Sequence, residues 1–64
     1  MRGRRIKILR GQHDWTQREL ARRAGVGRDT IMSAESGRPL RQGTLQRIAT
    51  ALGVDVEALM GDED

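Results

Sequence analysis

Apolar residues in this chain recur three and four positions apart, and no segment alternates with period two, so the pattern predicts helices throughout and no strand. The clearest stretch is Leu45, Ile48, Ala49 and Leu52, which fall at i, i+3, i+4 and i+7 on one face of a helix over about 44–52, with Gly53 closing it. Ile6 and Leu9 point inward from a helix over about 4–13, with Arg10 on the same side. Leu20, Ala21 and Ala24 form the apolar face of a helix over about 16–24, and Ile31 with Ala34 that of a helix over about 28–35. Val54 returns to the core, Asp55 caps a short last helix over about 55–60, and 61–64 read as a frayed tail.

Punctuation sharpens two of these boundaries. Thr16 is an N-cap with Glu19 three positions on, a capping box, and Trp15 with Leu20 make the matching hydrophobic staple. That gives the only Trp a structural role in place of base stacking. Two of the three apolar residues in 16–24 are small, so another helix can cross closely. Gly25 suits a left-handed cap, Val26 plugs the turn, and Gly27 starts the next helix. Gly25-Val26-Gly27 follows a helix and lacks the Lys-Ser/Thr of a phosphate loop, so it is read as a turn. Ser36-Gly37 ends the third helix, and the loop 38–42 holds the only Pro and two cations, Arg38 and Arg41.

The 64 residues suffice for one domain, 1–64, which would bury only about 60% of its unfolded surface. With no Cys, neither a disulfide nor a thiolate metal site can add stability, a composition that suits a reducing, cytoplasmic setting. Nothing resembles a signal peptide, and the apolar runs fall far short of the about 18 residues of a membrane span. An enzyme is not expected. His13 is the only His, His13-Asp14 are sequence neighbours, and no His/Cys/carboxylate set has metal-ligand spacing. No cofactor, metal or small-molecule substrate is therefore expected, and no membrane partner.

Charge is uneven, which says more than the net +3. Residues 1–32 carry +6 and residues 33–64 carry −3, and eleven of the twelve cations are Arg. Arg suits bidentate contacts to phosphate or guanine, and an asymmetric basic half fits a polyanion partner. A solvated basic face with an acidic tail would read the same on charge alone. The third helix decides between them. It opens Arg28-Asp29-Thr30 while Ile31 and Ala34 face inward. A helix polar at its leading end, propped by another across a tight turn, is built to reach base edges in a DNA major groove.

The combination of TQRELARRAGV from Thr16, then Ile31, Glu35, Ser36-Gly37 and TLQRIATALGV from Thr44 closely resembles the phage-repressor/Cro-like helix-turn-helix family over about residues 5–60. That resemblance implies an all-α, compact four- to five-helix domain. It also implies sequence-specific binding of double-stranded DNA, as a transcriptional repressor acting as a homodimer on a pseudo-palindromic operator. By position, Arg28, Asp29, Met32 and Ser33 would read bases. Gln17, Thr30, Arg38, Arg41 and Gln42 would meet the backbone, Gln17 also buttressing a base-reading residue, with packing the equal alternative for Thr30 and a phosphate the alternative for Ser33. Arg10 and Glu35 match a pair that ties the first helix to the third. Val56, Leu59 and Met60 are the candidate dimer patch, with core packing as the plainer account.

Three departures bear on this. Gly27 stands where Ser or Thr is usual, at a cost of a few tenths of a kcal/mol. Ala34 replaces a larger aliphatic, so packing under the third helix is expected to be thin, and the 37–45 loop is one residue short. A second class remains open: a protein-interaction module, such as an antitoxin or regulatory subunit, on the same fold.

Overall fold

A computed structural model of the protein describes residues 3–60, which form five helices: α1 Arg4–Gln12, α2 Gln17–Ala24, α3 Arg28–Glu35, α4 Gln42–Leu52 and α5 Val56–Met60. The described residues contain no strand, and none of their helices is long and apolar enough to cross a membrane. The expected tail at 61–64 lies outside the described residues.

Four of the five helices end in the same way. A residue with positive φ (Asp14, Gly25, Gly37 and Gly53, at 61°, 74°, 86° and 77°) turns the chain out of the helix. The next residue's N–H then donates back to a carbonyl five positions earlier: Trp15 to Arg10, Val26 to Ala21, Arg38 to Ser33 and Val54 to Ala49, all at 3.0–3.2 Å. These are Schellman closures. Trp15, Val26 and Val54 then pack against the core, as the apolar position of that motif usually does. The fourth, Arg38 after α3, is an exposed cation instead.

The core joins Ile6, Leu20, Ile31, Ile48 and Leu59, each nearly or wholly out of water, to smaller Ala21, Ala24, Ala34 and Ala49. Each large aliphatic contributes about 1.5–3 kcal/mol on burial, the main favourable term in so short a chain. α2 packs on α3 and α4, α1 on α3 and α5, and α4 on α5. Ala34 is fully buried, and the backbone at Gly3 runs directly against the end of α3 beside it. A Cβ on Gly3 would lie 2.0 Å from the Ala34 carbonyl oxygen, and its φ of 79° is left-handed, so only glycine fits.

Several expectations are corrected. α4 begins at Gln42, two residues before Thr44, because the Leu45 N–H already bonds the Arg41 carbonyl at 3.0 Å. Arg41 is thus the N-cap of α4, and Gln42 its first residue, not part of a loop. The capping box forms only in half. Thr16 Oγ1 accepts from the Glu19 N–H at 3.0 Å, while the Glu19 carboxylate accepts from Arg22 at 2.6 Å and Arg23 at 2.7 Å. The Val56, Leu59 and Met60 patch is also not an exposed seam. Val56 and Leu59 are 8% and 2% exposed because α5 turns them between α1 and α4, leaving only Met60 outside, 41% exposed.

Candidate nucleic-acid interface

α3 is buried on the side of Ile31 and Ala34, so the opposite side is what it offers. Arg28, Asp29 and Met32 are exposed there, and Thr30 and Ser33 lie half-buried along the border. One flank is an open groove lined by Asp29, Met32, Ser33, Ser36 and Arg38. The other is lined by Arg10, Thr16, Gln17, Arg18 and Arg28. The structure thus brings Gln17 to Arg28 on one flank, and Asp29, Met32 and Ser33 to Arg38 on the other. Thr30, Arg41 and Gln42 line neither groove. Arg41 and Gln42 are exposed at the start of α4, where free backbone N–H groups and the helix dipole favour an anion.

Thr16, Arg18 and Ser36 line these grooves without being expected there, Thr16 being the cap of α2. Arg18 carried a signal: a cation in the first turn of α2 opposes the helix dipole, so local stability does not call for it. Ser36 carried none; its Oγ donates to the Met32 carbonyl at 3.0 Å, an ordinary helix-end contact.

A polar network fixes the angle of α3 beneath this face. Arg10 Nε donates to Glu35 Oε2 at 2.5 Å and Nη2 to Oε1 at 3.1 Å, a two-pronged pair joining α1 to the end of α3. Arg10 Nη1 donates to the Trp15 carbonyl at 2.8 Å, and Gln17 Nε2 donates to Glu35 Oε1 at 3.1 Å. The Glu35 side chain is 6% exposed and that of Arg10 17%. Desolvation is the largest single influence on the Glu35 carboxyl and raises its pKa. The hydrogen bonds from Arg10 and Gln17, with the charges of Arg10 and Lys7, together outweigh it and hold the pKa below the ordinary value. The bond to Glu35 in turn raises the pKa of Arg10, against a smaller desolvation effect. Gln17 therefore spends one amide N–H on Glu35 and keeps the other, with its carbonyl oxygen, for a partner.

His13 and Trp15 sit apart from this face. Their rings stack at 4.1 Å, the Arg23 guanidinium lies 4.4 Å over the Trp15 ring, and His13 Nε2 is 3.3 Å from the Leu52 carbonyl oxygen. The cluster fastens the turn after α1 to α2 and α4.

Two helices joined by a three-residue turn and packed together, the second with its outer face free, define a helix-turn-helix. A helix-turn-helix family model matches residues 6–59, and the chain belongs to the Cro-type helix-turn-helix family of DNA-binding transcription regulators. The immunity repressor protein of Bacillus phage phi105 is 37% identical over 62 residues, covering 95% of this chain and 43% of that protein. The chain thus spans less than half the length of that relative. Among solved structures, the Bacillus subtilis biofilm regulator SinR in complex with DNA superposes with a TM-score of 0.86 at 31% identity, over 94% of this chain and 98% of that one. The restriction-modification controller protein C.AhdI from Aeromonas hydrophila gives 0.84 at 29% identity, over 89% and 88%.

Proposed function

We propose that this chain is a cytoplasmic transcriptional repressor that binds a specific double-stranded DNA sequence through α3, as two copies on a pseudo-palindromic operator. The observation that carries the reading is the arrangement around α3. A free polar helix face lies between one groove carrying Gln17, Arg18 and Arg28 and another ending in Arg38. Arg28, at the leading end, pairs with guanine O6 and N7; Arg18, Arg38 and Arg41 hold phosphates, with Gln17, Thr30 and Gln42 beside them. With α3 seated in the major groove of an operator, the protein would repress by blocking the promoter.

Dimer formation finds support in what α1 and α5 leave uncovered. Ile8 is 45% and Met60 41% exposed, on two helices that pack together. Two copies reading one face of the duplex would have half-site centres about 34–36 Å apart, one helical turn. Selecting bound sequences from random duplex DNA tests the whole reading, because it reports specificity, symmetry and spacing together. A symmetric site is expected. A protein-interaction module that holds no DNA would select nothing. Arg28→Ala should cost about 1–3 kcal/mol and relax one base pair per half-site, while Arg41→Ala weakens all duplexes alike and lowers the salt slope by about one.

A further inference from the structure

We infer that Asp29 and Met32 together read the pyrimidine edge of one cytosine, and that a methyl group on C5 of that cytosine strengthens binding. The inference rests on α3 entering a major groove. Asp29 and Met32 are one turn apart on α3, where Cβ atoms are about 5–6 Å from each other, and both line the same groove. That groove, of about 230 Å³, is open to solvent along the helix.

Asp29 is exposed, and no side chain among the described residues bonds to it. Its place in the first turn suits the helix dipole, as an acid at Arg28 or Thr30 would. Facing DNA, however, an unpaired carboxylate is repelled by phosphates unless it accepts a hydrogen bond. The major groove offers only two donors, adenine N6 and cytosine N4. Met32, 42% exposed beside it, offers an apolar surface that gains only against another apolar group.

The order of groups across the groove separates the two bases. An A·T pair presents acceptor, donor, acceptor, methyl, so a carboxylate on adenine N6 meets thymine O4 before any methyl is reached. A G·C pair presents acceptor, acceptor, donor, and then cytosine C5 with nothing between. A donor directly beside a methyl is therefore the edge of 5-methylcytosine. Asp29 takes N4 and Met32 covers the methyl. Burying one added methyl is worth about 0.8 kcal/mol, or about fourfold in affinity per half-site.

The test uses the full chain and synthetic duplexes carrying its selected site, with each cytosine replaced in turn by 5-methylcytosine and Kd measured at fixed salt. The expected result is one cytosine per half-site at which methylation tightens binding about fourfold. Met32→Ala should abolish that gain but keep the preference for cytosine, and Asp29→Asn should move the preference there toward adenine, which asparagine binds. Both side chains are exposed, so unchanged circular dichroism confirms that the variants fold. Methylation that is neutral or harmful at every cytosine overturns the inference, as does a gain that survives Met32→Ala. A methylation gain at a cytosine whose preference Asp29→Asn leaves unchanged overturns the one-base reading. Failure to select any sequence overturns DNA recognition itself, a different result from a selected site blind to methylation.

Discussion

α2 and α3 are each eight residues long and end in the same glycine closure, yet they are held by different means. α2 is specified locally. Thr16 caps it, three of its residues are buried, and Val26 locks its exit into the core. α3 starts at Gly27 with no side-chain cap, buries only Ile31 and Ala34, and leaves through an exposed Arg38. What α3 lacks locally it receives from a distance, through the Arg10–Glu35 pair and the backbone at Gly3. The difference shows how the fold frees a helix for recognition. Contacts that would have consumed the exposed positions of α3 are moved to its far end.

If that is how α3 is held, cutting the distant tether should have the largest effect. Glu35→Ala leaves the Arg10 charge partly buried and unpaired and releases Gln17, and should destabilise by about 3–5 kcal/mol. With marginal stability to begin with, the variant should be largely unfolded at 25 °C by circular dichroism. An unchanged melting temperature would show that the tether does not hold α3. Acid should act through the same group. Because the folded-state pKa of Glu35 is lowered, its contribution is present above the unfolded value of about 4.3 and is lost as pH falls through the folded value. Glu19 titrates in the same direction. The Glu35 share is therefore the difference between wild type and Glu35→Gln, whose melting temperature should fall less steeply below about pH 4.3.

The second distant support is the backbone contact at Gly3. Gly3→Ala adds a Cβ that overlaps the Ala34 carbonyl and imposes a left-handed conformation, which alone costs about 1–2 kcal/mol. The first turn of α1 should lift from α3, lowering the melting temperature by about 4–8 °C for each kcal/mol lost. Hydrogen exchange in α3 should rise more than in α2. An equal rise in both helices would mean that Gly3 supports the whole fold and not α3 in particular.

This contrast also explains what could be read along the chain. Apolar spacing and the Thr16, Gly25 and Gly37 signals placed α2 and α3 well, since those signals lie within a few residues of the boundary. α1 ends one residue before the sequence predicts because Asp14, not a glycine, supplies the left-handed turn. α4 starts two residues before the sequence predicts because Arg41 and Gln42 carry no capping signature. Gly3 has no local signal at all, as its constraint comes from the backbone of Ala34 and Glu35, far along the chain. The exposed face of α3 is legible from Ile31 and Ala34, and the cation at Arg18 stands out against the α2 dipole, but that Arg18 and Arg28 share one groove follows only from the packing of α2 on α3. Val56 and Leu59 were ambiguous for the reverse reason: on so short a helix, periodicity cannot say whether an apolar side faces the core or a partner.

The smallest effects test the local side of the comparison. Thr16→Ala removes the Oγ1 that accepts from the Glu19 N–H and should cost about 1 kcal/mol, seen as a lower melting temperature. Gly27→Ser is its counterpart, adding to α3 the cap it lacks. The backbone there, at φ −77° and ψ 156°, already has N-cap geometry, and a new Cβ meets nothing within 4 Å. Serine is better than glycine at this position by only a few tenths of a kcal/mol, so the melting temperature should rise by about 1–2 °C. The gain at residue 27 should therefore be clearly smaller than the loss at residue 16. A rise as large as the Thr16→Ala fall would mean that local capping, not the Glu35 and Gly3 contacts, limits α3, and the two helices would then be held alike.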